Sequence, residues 1–261
     1  PEFPFEDLAV SIPDNLLPNV QGIKGKGRLK GSMHLLIDSS DFDKTELELE
    51  CDTAKFIVTS LPSTLPFDTL RHQYTTRFEM PQNDKGEVVI YERLLGPATE
   101  RFVSLDDMSP LLPAAVMAQE DGGFRRHRGV SLFHLRGSLV DNLKKGRFVR
   151  GGSTVTMQLA RNLFLNRRKT LSRKIEEIIV AWLLEKSFDK DELMVLYLNA
   201  VEFGPNIFGV REAAQHYFNL HPNALSPPQV AWLINQGVGY LTDGKVPPRR
   251  GNDHPTIVPY G

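Results

Sequence analysis

Residues 171–200 read LSRKIEEIIVAWLLEKSFDKDELMVLYLNA, and this stretch decides the fold of the chain. Its first half repeats apolar residues at the spacing of one helix face, at Ile175, Ile178, Ile179, Trp182 and Leu183. After Asp189 the same pattern returns, at Leu193, Leu196, Tyr197 and Ala200. Apolar residues at positions i, i+3, i+4 and i+7 form a stripe that faces a core. We therefore predict two consecutive amphipathic helices here.

Further helices are predicted on both sides of this stretch. Upstream, Ser109-Pro110 is typical of a helix start, a cap followed by proline at the first helical position. That helix should run to Gln119 or Glu120. Four more segments have helical patterns, namely 131–144, 153–164, 209–218 and 227–236. The tail from Asp243 is rich in proline, glycine and arginine, so we expect it to be irregular.

The first 95 residues have a period of two. TELELEC, residues 45–51, alternates glutamate with apolar residues, which is typical of a half-buried strand. Residues 27–38 (GRLKGSMHLLID) and 55–62 (KFIVTSLP) are its expected partners, and a turn at 84–86 should lead into another strand. The predicted fold class is therefore α+β. A strand-rich segment, residues 1–82, should precede a mainly helical domain, residues 83–261.

Composition excludes several classes of protein. Hydrophobic residues make up 41% and charged residues 24%, as in ordinary globular domains. The single cysteine, Cys51, excludes an internal disulfide and a thiol-rich metal site. The densest apolar run, residues 178–184, is much shorter than the roughly 20 residues of a membrane span. His127 has no partners at metal-ligand spacing. The chain starts without a signal-like segment, so we expect any membrane anchor to lie outside it.

Positive charge is concentrated in one segment. Residues 121–174 contain 14 Lys and Arg against 2 Asp and Glu. Residues 1–120 contain 11 against 20, and residues 175–261 contain 6 against 10. A basic segment in a slightly acidic chain predicts an anionic partner such as phosphate, anionic lipid or nucleic acid. Nucleic acid is the least favoured of these, because no nucleic-acid-binding motif accompanies the charge.

Two acids close the predicted helix in MAQEDGGFRRHRG, residues 117–129. Carboxylates at a helix C-terminus face the negative end of the macrodipole, which costs about 0.3–1 kcal/mol. One interpretation is a solvated helix end whose acids are neutralised by the arginines that follow. The other is that Glu120 or Asp121 is held at a glycine turn for general acid or base chemistry.

Two other groups also allow two interpretations each, and a third favours a structural one. In residues 150–162, Gly151-Gly152 and the caps Ser153 or Thr154 suit an anion at a helix N-terminus, or simply an ordinary helix start. The cations of 166–174 suit a diphosphate, or form routine helix pairs with Glu177. Glu192 follows Asp189 by three residues, which is the spacing of a capping box.

Together these motifs resemble one known family. EDGGFRRHRG fits E-D-x-x-F-x-x-H-x-G, and GGSTVTMQLARNLFL is similar to G-G-S-T-I-T-Q-Q-L-x-K-N-L-F-L. LSRKIEE, FDKDELMVLYLN and FGPNIFGVREAAQHYF follow in the expected order. Residues 84–236 thus resemble the peptidoglycan glycosyltransferases, glycosyltransferase family 51. This family includes the transglycosylase domains of penicillin-binding proteins and the monofunctional transglycosylases.

The resemblance implies a lysozyme-like transglycosylase domain at the periplasmic or extracellular face of the bacterial cytoplasmic membrane. Such a domain polymerises lipid II into glycan strands, with inversion at the sugar and release of undecaprenyl diphosphate. The implied partners are lipid II, the nascent glycan strand, an anionic membrane surface and other cell-wall synthesis proteins. No firm cofactor is implied, although a divalent cation, Mg or Mn, is compatible with the second glutamate.

The resemblance also implies roles for individual residues. Glu120 corresponds to the general base, and Glu192 to the glutamate that assists departure of the diphosphate. The implied substrate-binding residues are Asp121, Phe124, His127, Ser153, Thr154, Gln158, Arg161, Lys169, Arg173, Lys174 and Glu177. The implied structural residues are Gly129, Gly152, Tyr197 and Asn199.

The chain departs from the family pattern at a few positions. Met157 replaces a glutamine, Arg161 a lysine and Lys169 an arginine, and Gln229 stands where the family has glutamate. These departures keep an alternative open, a transglycosylase-like module that binds lipid-linked or polymeric glycan without turnover. A glycan hydrolase is a third hypothesis, because hydrolases also use paired carboxylates. Residues 1–82 do not match the family, and their alternation resembles AsmA-like envelope proteins.

Overall fold

The computed structural model describes residues 2–5, 11–13, 15–81, 88–149, 151–165, 170–204 and 207–243, the side chains of 77–81, 88–91 and 236–243 excepted. Its strands are β1 (Glu2–Pro4), β2 (Lys24–Leu36), β3 (Glu46–Asp52), β4 (Phe56–Ser60), β5 (Tyr74–Pro81), β6 (Val88–Leu95), β7 (Glu202–Gly204) and β8 (Ile207–Phe208). Its α-helices are α1 (Phe67–Leu70), α2 (Leu111–Glu120), α3 (Leu132–Lys145), α4 (Val155–Phe164), α5 (Leu171–Ser187), α6 (Lys190–Ala200), α7 (Val210–Phe218) and α8 (Pro227–Asp243). The predicted α+β class is confirmed.

The helix predictions are confirmed with shifts of one or two residues at the ends, except that α8 runs to Asp243 and not to residue 236. Helix α3 has the expected start, since the Ser131 side chain accepts a hydrogen bond from the His134 N–H, and it ends at Gly146 in the left-handed conformation. Helix α2 begins one residue later than predicted. Its N-cap is Pro110, and no side-chain hydrogen bond caps it. The first turn is instead closed by the Leu112 N–H donating to the Ser109 carbonyl over 2.9 Å.

The chain forms two compact units. The first unit comprises Pro1–Phe67 and His127–Leu184, and the second comprises Asp68–Arg126 and Glu185–Gly261. The predicted boundary between residues 82 and 83 falls outside the described residues and stays a prediction. Among the described residues, no helix has the length and apolar character needed to cross a membrane.

In the first unit an antiparallel sheet combines with helices from the middle of the chain. Strand β2 pairs with β1, β3 and β4. β4 was predicted to be a partner of β3 but pairs with β2 instead, because β2 is long enough to take both along its length. The Asn19 N–H donates to the buried Glu176 carboxylate of α5 over 2.7 Å. Arg136 of α3 donates to the Thr45 carbonyl over 2.6 Å. These bonds fasten the N-terminal segment to the helices.

The strand at TELELEC is confirmed, but its predicted half-burial is wrong. Leu49 is 42% exposed and Cys51 is exposed as well, although both lie on the apolar side of β3. The alternation correctly gives one apolar and one charged face. Leu47 on the same face is partly buried, whereas the face stays accessible at Leu49 and Cys51.

The apolar stripe of α5 is a second correction. Ile175 is 39% exposed, and Ile178, Ile179 and Trp182 are only partly buried. The residues of α5 with no exposed surface are Val180, Ala181, Leu184 and Glu177. Tertiary packing therefore covers a neighbouring face of the helix, and much of the predicted stripe stays accessible.

In the second unit a hairpin of β5 and β6 precedes α2, and α6, α7 and α8 follow. All four apolar residues predicted to face the core from α6 are buried, namely Leu193, Leu196, Tyr197 and Ala200. Asn199 ties this helix to the chain before α2. Its Nδ2 donates to the Val103 carbonyl and its Oδ1 accepts from the Val103 N–H, each over 2.9 Å.

Candidate active-site residues

The segment around Glu120 is a helix end followed by tight turns. Glu120 is the last residue of α2 and is partly exposed. Asp121 has no exposed surface, and its N–H donates to the Met117 carbonyl over 3.2 Å. The Phe124 N–H in turn donates to the Asp121 carbonyl over 2.9 Å. Space is open beside Gly122, where an added Cβ would find only the Met117 oxygen, at 4.0 Å. Glu120 therefore borders a turn with room on one side.

This turn is held on the first turn of α6, the helix that carries Glu192. Phe124 is buried, and the Lys190 ammonium lies 4.5 Å from the centroid of its ring. Lys190 in turn pairs with the buried Glu185 carboxylate over 2.7 Å. Arg125 and Asp191 add an ion pair of 2.7 Å, although both side chains are more than half exposed and the pair stabilises little. The elements that carry Glu120 and Glu192 are thus joined within the second unit.

Glu192 occupies the capping box predicted from the sequence. The Asp189 side chain accepts from the Glu192 N–H over 2.8 Å, and the Glu192 carboxylate accepts from the Asp189 N–H over 2.9 Å. Both oxygens of the same carboxylate also accept hydrogen bonds from the Arg71 guanidinium, over 2.8 and 3.1 Å. The capping box and the bidentate arginine thus hold this carboxylate in one position.

Arg71 is a residue that the sequence analysis missed. Its Nη2 also donates to the Ser187 carbonyl over 2.7 Å, and its guanidinium lies 4.4 Å from the centroid of the Phe188 ring. It stands 121 positions before Glu192 in the chain. No local pattern marks it, so only the fold could have revealed it.

A second group of predicted residues meets in the first unit, and we call Ser153, Arg161, Arg173, Lys174 and Glu177 the cationic cluster. Glu177 has no exposed surface and forms ion pairs with Arg173 and, over 2.8 Å, with Lys174. The Lys174 ammonium also donates to the Ser153 hydroxyl over 2.5 Å. Two cations thus pair with one carboxylate, and the charge of Arg161 acts on Lys174 as well.

The electrostatics of the cationic cluster favour an additional anion. Burial lowers the pKa of Lys174 below its ordinary value, with further lowering from Arg161 and Arg173, and the attraction of Glu177 only opposes this. A buried ammonium whose pKa is lowered by desolvation and by like charges gains from any anion that approaches it. The cluster can therefore receive a phosphate or diphosphate.

The residues between these groups have mainly packing contacts. Thr154 has no exposed surface. Its hydroxyl caps α4 by accepting from the Met157 N–H over 3.2 Å, and it donates to the Gly129 carbonyl over 2.5 Å. Gly129 has a φ of +87°, which favours glycine. Gln158 is buried, and His127 is partly buried. Lys169 lies outside the described residues.

Gly152 is one of the structural residues that the resemblance implies, and it lies where α3 comes closest to the start of α4. An added Cβ would lie 2.8 Å from both the His134 carbonyl oxygen and the Ser138 hydroxyl of α3. The close approach is therefore between α3 and the start of α4. At Gly151 the nearest atom to an added Cβ is 3.8 Å away, so space for a ligand lies one residue earlier.

Met157 has no exposed surface and belongs to the core of the first unit. The replacement of the family's glutamine by methionine thus affects packing within α4. Arg161, the second departure, contributes a cation to the cationic cluster, as the family's lysine would.

The described residues do not offer a metal site. They contain no group of three or more His, Cys, Asp or Glu side chains that could hold an ion. Glu192, the residue that the resemblance connects with a cation, already binds the Arg71 guanidinium. We therefore assign no step of the chemistry to a bound metal.

Comparisons with known proteins agree with the motif analysis. A family model described as Transglycosylase matches residues 87–237. Proteins named biosynthetic peptidoglycan transglycosylase are similar to the chain in Cupriavidus metallidurans, with 42% identity over 137 residues that make up 52% of this chain and 59% of that protein. The Nitrosomonas eutropha relative is 35% identical over 164 residues, 63% of this chain and 66% of that protein.

A relative of the same name from Cupriavidus pinatubonensis is 43% identical over 133 residues, 51% of this chain and 53% of that protein. The chain therefore spans between half and two thirds of the length of these three relatives. The family model covers more than half of the 261 residues. The chain thus belongs to the transglycosylase family.

Proposed function

We propose that this chain is a peptidoglycan glycosyltransferase that polymerises lipid II into glycan strands and releases undecaprenyl diphosphate. The observation that carries the proposal is the setting of Glu120. This carboxylate ends α2 at a turn with open space, and the turn is anchored through Phe124 on the helix of Glu192. Membership of the transglycosylase family and the names of the relatives support the same reaction.

In the proposed reaction Glu120 acts as general base. The 4-hydroxyl oxygen of the acceptor sugar attacks C1 of the donor sugar, and Glu120 takes the hydroxyl proton. The bond between C1 and the diphosphate oxygen breaks as the new glycosidic bond forms, so the configuration at C1 inverts. The diphosphate leaves with its electron pair. Proton removal by a positioned carboxylate accelerates such a step about 100- to 10,000-fold.

We assign the departing negative charge to the cationic cluster. Its Arg161, Arg173 and Lys174 carry three positive charges against the single carboxylate of Glu177. Fixed cations aimed at a developing charge stabilise the transition state without reorganisation. Ser153 is a partly exposed hydroxyl within the cluster and can contact the same phosphate.

Several other predicted residues receive positioning roles in this proposal. Asp121, Thr154 and Glu177 have no exposed surface, so they hold neighbouring groups rather than touch the substrate. Asp121 orders the turn after Glu120, Thr154 joins Gly129 to α4, and Glu177 orients Arg173 and Lys174. Glu192 keeps the role of assisting diphosphate departure through the electrostatics of its Arg71 pair.

The reaction and the implied partners place the protein at the extracytoplasmic face of the bacterial cytoplasmic membrane, where lipid II and the nascent strand are available. An anionic membrane surface suits the basic segment 121–174. Other cell-wall synthesis proteins are the remaining partners that we propose.

Purified protein incubated with labelled lipid II tests the proposal, with the products separated by size. We expect polymer to appear together with undecaprenyl diphosphate, with one diphosphate released for each glycosidic bond formed. The Glu100→Gln variant, which changes an exposed glutamate, should have unchanged activity and serves as a control. Folded protein that binds lipid II without making polymer would contradict the proposal and support a binding module. Release of muropeptides from cell-wall sacculi would indicate a hydrolase instead.

A further inference from the structure

The first unit contains a large apolar groove that none of the proposed catalytic steps uses. Its volume is about 830 Å³, within the range of roughly 300–1,000 Å³ that is usual for ligand pockets. Leu29, Leu49 and Cys51 line it from the sheet, and Ile178, Ile179 and Trp182 line it from α5. All of these residues belong to the same compact unit. The groove is therefore a feature of this unit alone.

The groove explains both corrections to the burial predicted from the sequence. The half-open stripe of α5 and the uncovered apolar side of β3 are two of its walls. The strand pairing adds further apolar residues to the wall that the sheet contributes. Met33 pairs with Leu49, Leu35 with Leu47 and Phe3 with Leu29. Directly paired residues in antiparallel strands project from the same face. Met33 is 70% exposed, so a continuous apolar track runs along the sheet into the groove.

The charged residue at the groove indicates which class of ligand can bind there. Arg128 is the only charged residue among the described residues that line it. Its side chain is exposed, and no ion pair connects it to any residue that the structure describes. One free cation beside an apolar groove is complementary to an amphiphile with a long hydrocarbon chain and one negative charge. A donor with a diphosphate head carries more charge and is better matched by the three cations of the cationic cluster.

We propose that this groove binds the acyl chain of a membrane phospholipid that has a singly charged anionic head group, with its phosphodiester at Arg128. The inference does not depend on the proposed polymerase activity. Burial of hydrocarbon against the groove supplies affinity that increases with the length of the acyl chain. The charge at Arg128 discriminates between anionic and zwitterionic head groups.

Cys51 offers a direct probe of groove occupancy, because it is exposed, lines the groove and is the only cysteine in the chain. The experiment measures its alkylation by N-ethylmaleimide in the full chain, with lyso-phosphatidylglycerol added as a soluble single-chain lipid. Only the empty fraction reacts, so filling nine tenths of the sites should slow alkylation about tenfold. Lyso-phosphatidylcholine with the same chain should protect less, and Arg128→Gln should remove the difference between the two lipids.

A matched control uses the neighbouring strand. Ile57 is 68% exposed on β4 and does not line the groove. In a Cys51→Ser, Ile57→Cys double variant, lyso-phosphatidylglycerol should leave the alkylation rate unchanged. Equal protection at position 57, no protection of Cys51, or better protection by farnesyl diphosphate than by lyso-phosphatidylglycerol would each overturn the proposal. None of these alkylation measurements uses lipid II, so their outcome is independent of the polymerase test.

Discussion

Glu120 ends helix α2 and Glu192 lies in the first turn of helix α6, on which the turn after α2 is anchored. Glu192 lies in the first turn of α6, where a capping box and the Arg71 guanidinium hold its carboxylate and the helix dipole attracts a negative charge. Glu120 closes α2, whose last turn contains no basic residue, and there the dipole opposes a carboxylate. The contrast teaches that the helix dipole favours a carboxylate at the position of Glu192 and opposes one at the position of Glu120, to which our proposal gives the role of general base.

Glu177 is a third glutamate to compare with these two, and its substitution should have the largest effect on stability. Glu177→Gln would leave Arg173 and Lys174 without their buried carboxylate. Removing one partner of a buried ion pair typically costs about 3–5 kcal/mol. We therefore expect a large decrease in the free energy of unfolding, measured by urea titration. A decrease below about 1 kcal/mol would mean that the cationic cluster is solvated and is not a preformed anion site.

The cap of α6 should contribute the next largest amount. Asp189→Ala removes the acceptor for the Asp191 and Glu192 N–H groups. Loss of an N-cap costs about 0.5–2 kcal/mol, so the midpoint of urea unfolding should decrease accordingly. Asp189→Asn keeps an acceptor and is the matched control. If both variants were equally destabilised, lost capping would not be the reason.

Arg71→Met tests the other stabilising contact of Glu192. The pair is bidentate, but the arginine side chain is 48% exposed and that of the glutamate 36%. An exposed pair of this kind is worth about 0.2–1 kcal/mol. A double-mutant cycle with Glu192→Gln should give a coupling energy in that range. A coupling energy of zero would show that Arg71 does not stabilise Glu192.

Glu120→Gln should change stability in the opposite direction from every variant above. Removing a negative charge from the C-terminal end of α2 should raise the free energy of unfolding by about 0.3–1 kcal/mol. Thermal unfolding at low ionic strength can detect the increase, with Glu100→Gln as the control. A clear loss of stability would show that Glu120 is held by favourable contacts, and the contrast with Glu192 would then fail.

The pH dependence of stability provides the smallest and most specific signal. Because the pKa of Lys174 is lowered on folding, the unfolded chain binds more protons between that lowered pKa and the ordinary value of 10.5. The contribution of Lys174 to the free energy of unfolding should therefore increase as the pH rises through this window. The difference between the protein and Lys174→Met, measured by urea titration at several alkaline pH values, isolates the contribution. A difference that does not vary with pH would contradict the burial of this ammonium.

The sequence predicted local features much better than it predicted burial. The capping box at Asp189, the cap at Thr154 and the strand at TELELEC all depend on residues close together in the chain, and all are present. The apolar side of β3 and the stripe of α5 were wrongly expected to be covered. Periodicity identifies an apolar face, but it does not show whether another element packs on it.

The same limit applies to the candidate site. The motifs around Glu120, Ser153 and Glu192 could be found from residue spacing. The structure adds the contact between Ser153 and Lys174. Arg71 could not be found, because its contact with Glu192 depends on the chain path between them. The pair Gly151-Gly152 allowed both a ligand site and an ordinary helix start, and the missing Cβ of Gly152 makes room for α3. A glycine pattern alone cannot distinguish these two uses.

The rate of lipid II polymerisation by Glu120→Gln, relative to the unmodified protein at the same concentration, tests the account most directly. We predict a decrease of about 100- to 10,000-fold in a protein that is folded and at least as stable. A variant that polymerises lipid II at the normal rate would show that Glu120 does not take the acceptor proton, and the explanation for its unfavourable position would be lost.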